Sequence, residues 1–423
     1  PTTGAKVSFG SAVNSDGTAH ELTVTAGTGD VVFASGANVG TASSTSALAS
    51  LSVSGADITL RDVTTTDEQT YTATGAIDTN SKYISDGANI TFAGATVANS
   101  ALVIDTTDGG AASTAGDVIF KSTLNSATGQ AVTLDITAGA GDVNFDGDVG
   151  AVSGGALGKA TITSAQNIDT DGVFNVAGVD FTATTEIQLD GLVTSTATTK
   201  LTAALVDVNA GITAAGQLIH INAGANGLTV DGGAIDTSGV TAAGGAIDID
   251  SVGSVVINSA LIASGADVAT GASFAGGNIT IDVTGDTGGV GNTITLTANV
   301  TSDGGASDDN SDTGGKGGDI TLTTADGLIT LDDITVSSVG GAGSTQGAGG
   351  AVTFNDEVEL AGTTVAIDTG ASAGTITFAD VVDSAAGTNL TLTAGAGDVA
   401  FDKAVGVGNR LGAVTINQAD DVT

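Results

Sequence analysis

Short apolar stretches alternate with polar residues along almost the whole chain. In LTVTAGTGDVVF, Leu22 and Val24 alternate with threonines, and Val31 and Phe33 follow after a glycine-rich turn. A period of two over four to six residues predicts half-buried β-strands. The sequence shows no sustained helical period and no convincing helix cap. The pattern therefore predicts an all-β protein made of many short strands.

The same pattern recurs as LDITAGAGDVNF at 134–145 and LTLTAGAGDVAF at 390–401. Each copy follows another apolar strand that contains a phenylalanine, in VSFGSAV, VIFKSTL and ITFADVV. The phenylalanines thus form pairs with a nearly constant spacing: Phe9 and Phe33, Phe120 and Phe145, and Phe378 and Phe401. A unit of about 24 residues is typical of a solenoid repeat, and we expect these six rings to face the core.

A second register is marked by GGxI-type sequences, which begin at positions 244, 276, 317 and 349. Each copy continues through one or two further short strands, and the unequal spacing of the copies predicts variable loops on one side of the coil. We expect one continuous solenoid over 1–423. Its first register covers 1–243, the GGxI coils cover 244–354, and the first register returns in 355–423.

Strands this short cannot bury an apolar face in a single hairpin. They can do so if the chain winds and each coil lays its strands parallel on the coil before. The sequence therefore predicts a β-solenoid of about 22–24 residues per coil, about 17 to 19 coils and a rod about 80 to 90 Å long. The single proline agrees with this, because a ladder strand needs its N–H groups.

The TAGxGD motif predicts a corner between two strands. Its glycines supply positive φ, and the carboxylates of Asp30, Asp142 and Asp398 can accept a backbone N–H where a strand starts. The flanking Leu and Phe positions repeat together with the motif. A structural turn is therefore favoured over a ligand site.

Composition narrows the possible functions. With 41% hydrophobic residues the chain is too apolar to remain unfolded in water. A net charge of −38, with 47 acidic and 9 basic residues, excludes nucleic-acid binding. No apolar run approaches the roughly 20 residues of a membrane span. The absence of Met, the initiator included, indicates a processed product or a piece of a longer chain. The absence of Cys is compatible with either redox compartment and, together with the acidity, fits a bacterial protein at the cell surface or outside the cell.

The units GGNITIDVTG and GGDITLTTADGLITLDDITVSSVGG resemble coils of filamentous-haemagglutinin-like exoproteins. Residues 29–77 are similar to the repeats of large bacterial surface proteins known as β-strand repeat proteins. The resemblance covers most of the chain. It implies a right-handed parallel β-helix and an exported, non-enzymatic rod used in adhesion, biofilm or surface coating.

The rival hypothesis is a polysaccharide lyase or hydrolase, since many of these enzymes are β-helices. Such chemistry needs paired carboxylates, or a carboxylate with a basic residue, on one face. The two arginines, Arg61 and Arg410, are far apart in the sequence. Asp-Asp pairs at 308–309, 332–333 and 420–421 have no His or Lys beside them in a recognisable constellation. We therefore expect no enzyme and no required cofactor.

Calcium is the one candidate ion. The loop at 302–318 and the residue after it hold the acidic residues Asp303, Asp308, Asp309, Asp312 and Asp319. Oxygen ligands on a glycine-rich loop suit Ca²⁺, but a solvated loop remains the favoured alternative. Asp248, Asp250 and Asp282 are expected on adjacent coils, where Ca²⁺ can relieve their repulsion. His20 and His220 are interpreted as ordinary strand or turn residues.

Two function classes remain open. One is a structural rod that assembles end to end into a filament, sheath or surface layer. The other is the stalk of a large adhesin that contacts a surface polysaccharide or a receptor on another cell. The sequence after Phe401 follows the sequence after Phe145 and then stops in mid-coil. The continuation is either more of the same polypeptide or, slightly favoured, the N-terminal VSF of a second copy.

Overall fold

The computed structural model describes residues 4–41, 45–109, 116–285, 291–308 and 312–423. By their internal contacts the residues form two compact units: unit 1, residues 1–194, and unit 2, residues 195–423. The described residues contain forty β-strands and no helix. Accordingly, this part of the chain has no helix with the length and apolarity needed to cross a membrane.

Unit 1 contains the first eighteen strands, and a nineteenth runs across its boundary. They are β1 Val7–Phe9, β2 Leu22–Thr25, β3 Val31–Phe33, β4 Leu51–Gly55, β5 Ile58–Thr59, β6 Val63–Thr64, β7 Gln69–Thr79, β8 Lys82–Ile84, β9 Ile90–Ala98, β10 Leu102–Asp105, β11 Val118–Phe120, β12 Leu124–Ser126, β13 Leu134–Thr137, β14 Val143–Phe145, β15 Leu157–Ser164, β16 Asn167–Thr170, β17 Phe174–Thr182, β18 Glu186–Leu189 and β19 Val193–Ser195.

Unit 2 contains the remaining strands. They are β20 Thr199–Val208, β21 Ile212–Thr213, β22 Ile219–Val230, β23 Ile235–Asp236, β24 Ile247–Ser251, β25 Val255–Ile257, β26 Leu261–Ile262, β27 Ile279–Val283, β28 Ile294–Leu296, β29 Val300–Thr301, β30 Ile320–Thr324, β31 Leu328–Asp332, β32 Thr335–Ser337, β33 Val352–Phe354, β34 Glu357–Ala361, β35 Thr364–Asp368, β36 Ile376–Phe378, β37 Val382–Ser384, β38 Asn389–Thr393, β39 Val399–Phe401 and β40 Val414–Gln418.

The strands of unit 1 stack in parallel, coil on coil. One row of partners in register runs through eight strands: Leu22, Leu51, Gln69, Ile90, Val118, Val143, Ile168 and Ile187. Between successive members of this row the chain completes one coil, and the coil from Leu51 to Gln69 is the shortest of them. Unit 1 is therefore a parallel β-solenoid, the predicted fold class.

Unit 2 has the same architecture. A comparable row passes through Thr199, Ile219, Ile247, Ile279, Ile320, Val352, Ile376 and Val399. The coil from Ile279 to Ile320 is the longest in this row. The GGxI motifs lie just before β24, β27, β30 and β33, and each of these coils continues through two further strands. Unit 2 is thus also a parallel β-solenoid, and the extra residues of its longer coils lie between strands.

The cores are built from the inward-facing members of the alternating strands. Phe33, Phe120, Phe145 and Phe378 are buried, and Phe401 is half-buried. Phe9 is also half-buried, and its ring stacks on that of Phe33 with 4.6 Å between centroids. The paired rings of each repeat stack because their strands lie in register on adjacent coils.

The longer loops of unit 2 are more regular than the sequence indicated. Between the third strand of one coil and the first strand of the next, they pack on one another through backbone hydrogen bonds. Gly305 N donates to Phe274 O, Gly315 N to Gly305 O, Gly341 N to Gly315 O and Gly347 N to Gly341 O, each at 2.8 or 2.9 Å. Only glycine permits this approach, because a Cβ on Gly341 would overlap the carbonyl oxygen of Gly305. We call this arrangement the glycine layer.

Candidate functional site

The aspartates of the GD corners connect one coil to the next. The backbone carbonyl of Asp30 accepts a hydrogen bond from Val7 N, at 2.9 Å, and those of Asp142 and Asp398 accept equivalent bonds from the preceding coil. The carboxylates of Asp142 and Asp398 accept hydrogen bonds from the following coil. Asp142 Oδ1 accepts from Asn167 N at 3.1 Å, and Asp398 Oδ1 accepts from Asp421 N at 3.2 Å.

In unit 1 these bonds form a ladder over four coils. Asn89 Oδ1 accepts from Asp117 N at 2.7 Å, and Asp117 Oδ1 accepts from Asp142 N at 2.9 Å. Asp142 then accepts from both the backbone and the side-chain amide of Asn167. We call Asn89, Asp117, Asp142 and Asn167 the corner ladder. The side-chain oxygens of the first three residues each accept a hydrogen bond from an N–H group of the following coil. Their role is therefore structural.

Three acidic residues that were predicted to bind calcium accept hydrogen bonds from backbone N–H groups. Asp303 Oδ1 accepts from Val339 N at 2.7 Å, and Asp312 Oδ2 accepts from Gly271 N at 2.8 Å. Asp319 Oδ1 accepts from Ala351 N at 3.0 Å and from Lys316 Nζ at 3.2 Å. These backbone contacts join neighbouring coils of unit 2. The predicted calcium role of the loop stays a prediction.

Of the other two predicted ligands, Asp308 donates its own backbone N–H to Val268 O at 3.1 Å, and Asp309 lies outside the described residues. Asp319 and the corner residue Asp398 line the same groove. A groove of about 510 Å³ on unit 2 is lined by Lys316, Asp319, Asp398 and Asp420 together with glycines and alanines. The structure thus brings a candidate ligand and a corner aspartate to one side of the coils.

Two of the residues considered for catalysis, Asp333 and Arg61, make hydrogen bonds with the backbone. Asp333 adopts φ of 50° and its Oδ1 accepts the N–H groups of Thr363 and Thr364, which hold the pKa of its carboxyl below the usual range. Arg61 Nε donates to Ala34 O at 3.4 Å, while Arg410 is exposed.

His20 is an exposed residue beside an exposed carboxylate. Its Nε2 lies 3.2 Å from Asp16 Oδ1. A hydrogen bond from the backbone of Thr18, followed by the contact with His20, lowers the pKa of the Asp16 carboxyl. The pair lies in the segment before β2. The sequence analysis interpreted His20 as an ordinary strand or turn residue.

His220 lies among carboxylates on the outer face of unit 2. It faces Asp248 across the β22–β24 pair, and Asp250 faces Asp282 across the β24–β27 pair. His220 Nε2 is 3.1 Å from Asp250 Oδ2, and one ligand atom from each of His220, Asp248 and Asp250 lies within 4.8 Å of the others. We call these three residues the histidine cluster.

Asp282 is the carboxylate next to this cluster. Partial burial, followed by the negative charges of Asp250, Asp356 and Asp248, raises the pKa of its carboxyl. The like charges that the sequence placed on adjacent coils are therefore close enough to disfavour ionisation. The sequence did not indicate that His220 joins them.

A second acidic cluster lies in unit 1 and was missed by sequence reasoning. One oxygen from each of Asp169, Asp171 and Asp190 lies within 4.8 Å of the others. Asp169 Oδ1 is shielded from solvent and has no hydrogen-bond partner among the described residues. Burial, with the charges of Asp171 and Asp190 next, raises the pKa of Asp169 to about 6. The repeated DG dipeptides at 171–172 and 190–191 were the available signal.

Comparisons with known protein families, curated proteins and solved structures find no match to this chain.

Proposed function

We propose that this chain is an extracellular structural β-solenoid that assembles end to end into a filament, sheath or surface layer. Its relationship to filamentous-haemagglutinin-like and β-strand repeat exoproteins, and its place on a bacterial surface, belong to the same proposal. The repeated architecture supports this proposal, because each coil presents to the next coil the same kind of strand edges and inward residues as those on which it packs.

The observation that carries the proposal is the exposure of two valines, Val414 and Val422, in the last described coil. Val414 pairs with Leu390 and is 46% exposed, whereas Leu390 is fully buried. Val422 bridges to Val399 and is 54% exposed, whereas Val399 is fully buried. These positions are inward members of their rows, so a further coil laid on them would bury them. Exposed apolar edges of this kind recruit other strands.

The further coil is either a continuation of the same polypeptide or the first coil of another copy, and we favour the second. Its VSF sequence, in β1, has the same pattern as the VNF and VAF strands of later coils. In β1, Val7 and Phe9 are half-buried, while their partners Val31 and Phe33 in β3 are fully buried. Stacking β1 of one copy on the last coil of another would bury apolar surface from both. A head-to-tail contact of this type extends into an open fibre.

Charge sets the conditions under which assembly occurs. Two chains that each carry −38 repel one another, and added salt screens this repulsion because the Debye length falls to about 8 Å at physiological ionic strength. The attraction between apolar coil ends is short-ranged and is not screened in this way. We therefore expect assembly to increase with both protein concentration and salt.

Analytical ultracentrifugation of the 423-residue chain over a concentration series, with negative-stain microscopy of the same samples, tests the proposal. We expect species larger than one chain and fibres at high salt. Val414→Lys should abolish both, because it places a charge in the proposed contact. Val240→Lys is the matched control, since Val240 is 76% exposed and lies away from the last coil.

The outcomes separate the two function classes. Equal thermal melting of the two lysine variants would show that both are folded. A single species of one chain at every concentration and salt, without fibres, would refute self-assembly and favour the adhesin stalk. Assembly that persists in Val414→Lys would show that the contact lies elsewhere on the surface.

A further inference from the structure

The histidine cluster differs from the other acidic surfaces because an imidazole nitrogen points into it. His220 lies on β22, and Asp248 and Asp250 lie on β24, so the three side chains come from two adjacent coils. The side chain of His220 is only 27% exposed and that of Asp250 is 49% exposed. Their backbone positions are fixed by the parallel ladder, which leaves mainly side-chain rotation free.

The distances are suitable for one metal ion. Two ligands on a tetrahedral Zn²⁺, with bonds of about 2.1 Å, are about 3.4 Å apart. The distance from His220 Nε2 to Asp250 Oδ2 is 3.1 Å, and one ligand atom from each of the three residues lies within 4.8 Å of the other two. The two distances to Asp248 exceed the tetrahedral value by at most about 1.4 Å, a difference of the size that a change in the Asp248 side-chain torsions can close.

The surrounding charges also favour a cation. Lys200 faces His220 from β20 and contributes one positive charge, while Asp248, Asp250 and Asp282 are three carboxylates on the neighbouring strands. A divalent cation at the cluster would offset the repulsion among these carboxylates. The excess of negative charge therefore attracts a metal ion despite the lysine.

The ligand types distinguish between classes of metal. Calcium and magnesium take oxygen ligands, whereas imidazole suits zinc and neighbouring transition metals. One nitrogen and two carboxylates match a zinc-type site that retains an open position for water.

We propose that His220, Asp248 and Asp250 bind one divalent transition-metal ion of the zinc class, which bridges two coils of unit 2. This site is separate from end-to-end assembly and from the acidic loop at 302–318, but it includes Asp248 and Asp250, where the sequence predicted that Ca²⁺ relieves repulsion. It links β22 to β24 through side chains in addition to their backbone hydrogen bonds. Metal bound to the folded chain would stabilise it by mass action.

The test is calorimetric titration of the metal-free 423-residue chain with Zn²⁺, repeated in excess Ca²⁺. We expect one zinc site per chain that Ca²⁺ does not displace. His220→Gln should bind Zn²⁺ at least about tenfold more weakly, since even outer-shell changes weaken metal sites by that factor. His20→Gln is the matched control, because His20 also lies 3.2 Å from a carboxylate but belongs to no three-ligand group among the described residues.

Thermal melting with and without Zn²⁺ provides a second measurement. At a zinc concentration near the dissociation constant of the parent chain, zinc should raise the melting temperature of the parent chain and of His20→Gln and leave that of His220→Gln nearly unchanged. If His220→Gln does not fold, Asp248→Asn serves in its place. Zinc affinity unchanged in His220→Gln, or equal displacement of Zn²⁺ by Ca²⁺, would overturn the proposal and leave non-specific ion binding to an acidic face.

Discussion

The aromatic coils of unit 1 and the GGxI coils of unit 2 build the same type of fold, a parallel β-solenoid, with different core residues. In unit 1 the rings of Phe92, Phe120 and Phe145 stack with centroids 4.9 and 5.4 Å apart. In the first three GGxI coils of unit 2 the corresponding inward positions are filled by Ile249, Ile281 and Leu322. Aromatic stacking returns at the fourth GGxI copy, where the ring of Phe354 stacks on that of Phe378. Parallel stacking therefore requires only that inward residues of similar shape recur from coil to coil.

The two regions also close their coils differently. The corner ladder of unit 1 uses side-chain oxygens to accept N–H groups of the next coil. The glycine layer of unit 2 adds backbone-to-backbone bonds between whole loops. Asp303 and Asp312 also accept backbone N–H groups in the long loops of unit 2, so both units use side-chain acceptors. What unit 2 adds is the packing of bare glycine backbones, which lets the long loops lie against one another. This difference explains how coils of very different length coexist in one fold.

The largest expected effect removes a ring from the aromatic stack. Phe120→Ala should lower the free energy of unfolding by about 3 to 5 kcal/mol, because it leaves a cavity between the two neighbouring rings. Ile281→Val, at a fully buried position of unit 2, should cost only about 0.5 to 1.5 kcal/mol. Urea denaturation of both variants measures the difference. Similar losses would contradict a special contribution of the aromatic stack.

A smaller effect is expected in the glycine layer. Gly341→Ala should destabilise the fold by about 1 to 3 kcal/mol, because the added Cβ overlaps the carbonyl oxygen of Gly305. At Gly10, by contrast, a Cβ would meet nothing within 4 Å, so Gly10→Ala should be nearly neutral. Thermal melting compares the two variants. If Gly341→Ala is also neutral, the loops are not held by close backbone packing.

The corner ladder should contribute less than the layer. Asp142→Ala removes the acceptor for both N–H groups of Asn167 and should cost about 1 kcal/mol. Asp142→Asn keeps a carbonyl oxygen in place and should retain most of the stability, as Asn89 does in the same ladder. Chemical denaturation tests this order. Asparagine that destabilises as much as alanine would mean that charge, rather than the acceptor, matters.

The smallest expected effect is a pH dependence at Asp169. Its pKa is raised from 3.8 to about 6, so the folded chain binds the proton more tightly than the unfolded chain does. The group therefore contributes no penalty below about pH 4 and destabilises the fold progressively as pH rises through about 6. Solvent screening of this partly exposed carboxyl keeps the effect below about 1 kcal/mol.

Asp169→Asn should remove this pH dependence. The variant should melt higher than the parent chain at pH 7.5 and at the same temperature near pH 4. Asp171→Asn serves as the comparison: it removes one of the charges that raise the pKa of Asp169, so it should reduce the pH dependence without abolishing it. Parallel melting curves for Asp169→Asn and the parent across this pH range would show that the carboxyl titrates normally.

The local features of this protein could be read from its sequence. Alternation identified the short strands, because it depends on neighbours within a few residues. The repeated phenylalanines indicated the coil length where the coils are regular, because there the repeat is nearly exact. Pairs such as Phe120 with Phe145 could therefore be placed on adjacent coils without a structure.

The polar contacts across coils depend instead on the tertiary fold. His220 contacts Asp250, and Asp169 lies near Asp190, although the two pairs are separated by different lengths of chain. The glycine layer depends in the same way on loops of unequal length meeting face to face. Coil length varies widely between the short coil from Leu51 to Gln69 and the long one from Ile279 to Ile320, so the register between outward side chains is set by packing of the inward rows. No local pattern in the sequence carries that information.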